Sequence, residues 1–137
     1  MNRENGFSLV ELLCVVVIIG IIAALGVPAL QRAILSAENG AAFGTMRTIA
    51  STQISYFSQN NRFARLTELN PIMGNGLGTT TGDTIVRGRY VFEMSVPPPT
   101  DAELKDGYVI TATQSSPNET VYKYELTNSG SIQQVLP

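Results

Sequence analysis

Histidine is absent from the 137 residues, and cysteine occurs once, at Cys14. Without histidine, the commonest general base and the commonest metal ligand are both missing. A lone cysteine cannot close an intramolecular disulfide, so oxidation does not staple this fold. Cys14 sits inside an apolar run and reads there as a small hydrophobe. Charge is also scarce: nine basic and eleven acidic residues leave a net charge of −2. Arg32, Arg47, Arg62, Arg65, Arg87, Arg89, Lys105 and Lys123 are scattered, without the stripe or cluster that a nucleic-acid footprint needs. The acidic residues are equally dispersed, so there is no acidic tail. No Ser/His/Asp set, no thiol outside the apolar run and no metal cluster is present. These absences predict a protein that is not an enzyme and carries no cofactor and no metal.

What is present begins with "GFSLVELLCVVVIIGIIAALGVPAL", Gly6 to Leu30, which holds one charge, Glu11. From Phe7 to Leu30 the run covers 24 residues. As a helix that is roughly 36 Å, enough to cross a hydrocarbon core of about 30 Å. It exceeds the apolar core of about 7–15 residues in a cleaved secretory signal, so ordinary signal cleavage is not expected. A carboxylate at mid-membrane costs about 2.5–3.5 kcal/mol on insertion scales. Glu11 is one turn in from Phe7, where the cost is smaller. Two readings stay open: the group reaches the headgroups or protonates, or it awaits a cation from another chain. The segment offers no cation of its own, and a buried charge without a partner predicts one elsewhere.

Gly6-Phe7-Ser8-Leu9-Val10-Glu11-Leu12-Leu13 resembles the processing signature of type IV pilins and of their relatives, the pseudopilins of secretion and competence systems. The resemblance implies a leader, residues 1–6, removed by a prepilin peptidase between Gly6 and Phe7. It implies N-methylation of Phe7 by the same enzyme. It also implies that Glu11 pairs with the Phe7 amine of a neighbouring subunit in a homopolymer. Two opposite charges about 4 Å apart attract by about 4 kcal/mol at an effective dielectric near 20. The leader "MNRENG" has one arginine and one glutamate, less basic than is usual in such leaders. Further partners so implied are the inner-membrane pilus assembly machinery and, before assembly, the lipid bilayer. The implied location is the bacterial inner membrane, single-pass with the head outside the cytoplasm, then the cell surface, or the periplasm for a pseudopilin. The reading from another class is a membrane-anchored binding protein.

Proline inside a helix removes one backbone hydrogen bond and clashes with the carbonyl four residues back. Gly20 and Gly26 each lower helix propensity by about 1 kcal/mol near Pro28. Membrane helices tolerate such residues with at most a kink. The resemblance implies instead that Gly20 to Pro28 melts in a filament.

Gln31 to about Asn60 contains no proline and reads as an amphipathic continuation of the helix, stopped at Asn60-Asn61. Phe43, Met46, Ala50, Ile54 and Phe57 recur at steps of three and four and mark its core face. Arg62–Asn70 reads as a short connecting segment, its position after the helix similar to the loop that follows the helix in many pilins, and Met73–Asp83, rich in Gly and Thr, reads as an exposed loop. No lysine follows its glycines, so it is not a phosphate loop.

Four strands are expected after it. Tyr90, Phe92, Met94 and Val96 alternate with polar or smaller residues; so do Tyr108, Ile110 and Ala112, then Tyr122, Tyr124 and Leu126. Ser131–Leu136 is the fourth. Thr100 and Glu103 have capping-box spacing and predict one helical turn. Short connections imply antiparallel pairing. The aromatic face should cover the helix stripe, giving an α+β head over residues 61–137. Asp101, Glu103 and Asp106 lack the oxygen-ligand spacing of a calcium loop and read as a solvated turn. Asn118-Glu119-Thr120 matches a glycosylation acceptor and reads as an exposed turn.

Overall fold

The computed structural model describes residues 6–115 and 121–137. Residues 1–5 of the expected 1–6 leader and the Asn118–Thr120 triplet lie outside the described residues. Two compact units divide between Ala37 and Glu38.

Helix α1, Leu9–Asn60, contributes to both units. In the first unit it is apolar and uncovered: the window most suited to a membrane is 0% buried, with a mean hydropathy of 2.9. Val15 to Leu30 are aliphatic or small, so every side of the helix is greasy. A helix apolar all round belongs in lipid or inside a bundle of its own kind. Pro28 lies within α1, and the helix runs unbroken through Gly20 and Gly26.

In the second unit, α1 ends where Asn61 turns left-handed, at φ 57°. Asparagine tolerates that region better than most residues, which suits it to stop a helix. The Asn61 N–H still donates to Phe57 O at 2.9 Å. Then follow α2 (Leu66–Ile72), β1 (Thr79–Thr81), β2 (Thr84–Arg87), β3 (Tyr90–Glu93), α3 (Glu103–Asp106), β4 (Val109–Gln114), β5 (Lys123–Thr127) and β6 (Ile132–Leu136). The strands form one six-stranded sheet in sequence order. Every neighbouring pair is antiparallel.

The sheet has two more strands than the sequence reading gave. Thr79–Thr81, placed there in an exposed loop, is the edge strand β1, paired with β2 from Thr79↔Val86 to Thr81↔Thr84. Thr84–Arg87 is β2 itself. Two-residue turns make both hairpins: Gly82-Asp83 joins β1 to β2, and Gly88-Arg89 joins β2 to β3. Gly82 and Gly88 take φ of 59° and 60°, as the first central position of such turns requires. Those glycines were the available signal. Arg62–Asn70 is likewise more than a connection, since Leu66–Ile72 is helical.

The core lies between the inner face of this sheet and the second-unit part of α1. Ile85, Phe92, Ile110, Ala112 and Leu126 are at most 1% exposed, and Met46 and Ile49 of α1 are 0%. Leu66 and Leu69 from α2, Leu77, and Leu104 from α3 close the edges. Strand alternation explains the set: β5 reads half-buried, buried, half-buried, buried, half-buried from Lys123 to Thr127. This is a helix packed on an antiparallel sheet, an α+β head.

Candidate processing and assembly site

Gly6, Phe7 and Ser8 precede α1 in irregular backbone, and Phe7 is 84% exposed. Glu11 occupies the first turn. The Ser8 N–H donates to Glu11 Oε2 at 2.9 Å, and the Glu11 N–H donates to Ser8 Oγ at 3.2 Å. The Leu12 N–H reaches Ser8 O at 3.2 Å and begins the helical ladder. Serine before the helix and glutamate three residues on form a reciprocal cap. The chemistry fits a nonpolar setting: each backbone N–H left unpaired in hydrocarbon costs several kcal/mol. The sequence reading gave Glu11 only an intermolecular partner and missed Ser8. The signal was the Ser-x-x-Glu spacing at residues 8 and 11.

Gly20, Gly26 and Pro28 all lie inside α1, and a Cβ at either glycine would meet nothing within 4 Å. The segment from Gly20 to Pro28 is helical throughout. Cys14 is exposed on the same unit.

The head residues expected in the core divide into three groups. Met46, Tyr90, Phe92, Tyr108 and Tyr124 are buried. Phe43, Ala50 and Tyr122 are half-buried and pack against them, with the Phe43 and Tyr124 rings 4.6 Å apart. Phe57 is half-buried on Phe63 at 4.7 Å, and Phe63 meets the edge of Tyr108 at 4.8 Å. Ile54 is a correction, since it is 68% exposed. The inward stripe of α1 is Ala42, Thr45, Met46, Ile49 and Gln53, offset by one position from the apolar stripe. Apolar spacing missed the offset because a glutamine holds the inward place.

Gln53 holds it for a reason. Its Nε2 donates to Ala64 O at 2.8 Å, and the Ala64 N–H donates to its Oε1 at 2.7 Å. Both backbone groups of a buried residue are thus satisfied by one side-chain amide, where leaving either unpaired is costly. Asn70 works similarly. Its Nδ2 donates to Gly78 O and Thr80 Oγ1, each at 2.9 Å, while the Leu77 N–H donates to its Oδ1 at 3.1 Å. That amide pins the turn leading into β1.

A charged network ties α2 to the loop before α3. Arg62 grips Glu68 with two hydrogen bonds, Nη1 to Oε2 at 2.9 Å and Nη2 to Oε1 at 2.6 Å. Arg65 donates through Nε to Pro99 O at 2.9 Å and through Nη2 to Asp101 Oδ1 at 2.5 Å. The Arg62 hydrogen bonds, with the Arg65 N–H, hold Glu68 down at about 2 against burial. Burial pushes the Tyr108 phenol up to about 12. Asp101 is therefore an arginine partner, and Glu103 accepts from Thr100 N–H and Oγ1, both at 2.7 Å. Among the described residues no group of three acidic, histidine or cysteine side chains is arranged to hold a metal ion.

Comparison with known proteins bears on the N-terminal geometry. Residues 1–27 match the prokaryotic N-terminal methylation motif. A fimbrial protein of Moraxella nonliquefaciens is 45% identical over 62 residues, which is 45% of this chain and 40% of that protein. The type IV major pilin protein PilA of Myxococcus xanthus (strain DK1622) is 34% identical over 92 residues, 62% of this chain and 42% of that protein. The matches thus span less than half the length of these relatives. No solved structure matches the chain at a significant level. The chain thus carries an N-terminal methylation motif and is similar over part of its length to a fimbrial protein and a type IV major pilin.

Proposed function

We propose that the chain is the structural subunit of a type IV pilus, held in the membrane by residues 7–30 until it is cut after Gly6, methylated at Phe7 and polymerised. The observation that carries this reading is the isolation of Glu11, the one charge between Gly6 and Leu30, on an apolar helical span that is 0% buried. Glu11 Oε2 is used by Ser8, and Oε1 accepts no hydrogen bond among the described residues. The Phe7–Ser8 peptide survives cleavage after Gly6, so the cap survives too. The free oxygen then takes the new Phe7 ammonium of the next subunit. Leader removal creates that cation; an uncut chain has an amide in its place. Apolar helices move from lipid to a bundle of like helices and stay dry in both. Filament formation then serves adhesion, motility or DNA uptake. The partners are copies of the chain, the prepilin peptidase and the inner-membrane assembly machinery.

The test is Glu11→Ala in cells expressing the full chain. Membrane fractions should hold the protein at its normal level, while sheared surface filaments fall at least about tenfold, the equivalent of about 1.4 kcal/mol per contact. Normal filament yield from Glu11→Ala contradicts the reading.

A further inference from the structure

Two exposed features of the head complement each other. Between the proline-rich loop and α3 lies an open groove of about 510 Å³, lined by Met94, Pro99, Glu103, Asp106, Tyr108 and Val109. Its floor is apolar and two carboxylates stand on its α3 side. Val109 is 48% exposed there. Asp106 makes no ion pair or side-chain hydrogen bond among the described residues, and Lys105 on the same turn is exposed as well. Glu103 keeps its charge, held by Thr100.

The second feature is on α1. Arg47 is exposed, and its guanidinium pairs with nothing among the described residues. Ile54, 68% exposed, stands seven residues further, two turns along the same face and about 10 Å away. Ser51 and Ser58 complete the stripe without bulk. A cation followed by an aliphatic side chain is the chemical complement of an acid-rimmed apolar groove.

We propose that this groove receives the Arg47–Ile54 face of α1 from a second copy of the chain, with Arg47 against Asp106 and Glu103 and Ile54 against Met94 and Tyr108. The contact cannot form within one molecule, because both features are fixed in one head, so it is a head-to-head contact between subunits. This inference rests on the proposed function and adds the surface by which neighbouring heads find their register. Charge complementarity of this kind sets register and partner choice more than raw affinity.

The experiment uses the full chain in cells, with membrane pool and sheared filaments both measured. Arg47→Glu alone and Asp106→Arg alone should each lower filament yield roughly fivefold at unchanged membrane pool, and the double variant should recover to within about twofold. Ile54→Ser, which changes no charge, should also lower yield. Wild-type yield from both single charge variants overturns the contact, and so does a double variant no better than the singles. A wild-type chain that is cleaved yet yields no filament overturns the proposed function instead, and this contact with it.

Discussion

Glu11 and Ser8 satisfy each other across the first turn of α1, with the Ser8 N–H 2.9 Å from the Glu11 carboxylate and the Glu11 N–H 3.2 Å from the Ser8 hydroxyl. Removing the hydroxyl leaves one of these two bonds. A lost serine cap costs about 1 kcal/mol. Ser8→Ala should speed amide hydrogen exchange over Leu9–Leu13 in detergent micelles by roughly fivefold, and Ser8→Thr should restore it. Equal exchange in wild type and Ser8→Ala would remove the cap from the account.

Gln53 carries the backbone of Ala64 on one amide. Gln53→Leu keeps the bulk and strands both backbone groups, so the head should lose about 2–4 kcal/mol, at about 1–3 kcal/mol per unsatisfied group. Thermal unfolding of the full chain in detergent, followed by near-ultraviolet circular dichroism, measures it. A loss below about 0.5 kcal/mol contradicts the assigned role.

The two isoleucines of the head helix should behave oppositely. Ile49, 0% exposed, should cost about 2–4 kcal/mol on truncation to Ala. Ile54→Ser, at a surface position, should stay within about 0.5 kcal/mol. Comparable losses at both would return Ile54 to the core.

Glu68 gives the head an acid limit. Its carboxyl is held at about 2 in the folded chain against an ordinary 4.5, chiefly by the Arg62 hydrogen bonds. A depressed folded value means stabilisation that is complete above the ordinary value and lost as pH falls through it toward the folded value. Stability should therefore drop by on the order of 2–3 kcal/mol between pH 4.5 and 2, with the 31% exposure of the side chain trimming the figure. Glu68→Gln should be less stable at neutral pH and flatter across that window. An unchanged slope in Glu68→Gln places the acid sensitivity elsewhere.

Legibility in the sequence followed the strength of the pattern. The apolar run, the helix stop at Asn60-Asn61 and the alternation of Tyr90–Phe92, Tyr108–Ala112 and Tyr122–Leu126 each repeat one signal many times, and the α+β architecture follows from them. β1 and β2 were missed because Thr79–Arg87 shows little alternation, and pairing there is set by the Gly82 and Gly88 turns rather than by hydrophobicity. Ile54 misled for the converse reason. Its spacing fits a core stripe, but Gln53 takes the inward place because Ala64 needs two hydrogen bonds from it, a demand 11 residues away that periodicity cannot register. The Arg62–Glu68 and Arg65–Asp101 pairs join separate segments and depended on the fold being known.

The proposed assembly depends on one chemical change, the replacement of a peptide bond before Phe7 by a free, methylated amine. Mass spectrometry of the N-terminal peptide from sheared, washed filaments tests it directly. The account predicts that filament subunits begin at N-methyl-Phe7, with residues 1–6 confined to the membrane pool. Filaments built from chains that still carry Met1–Gly6 would contradict it.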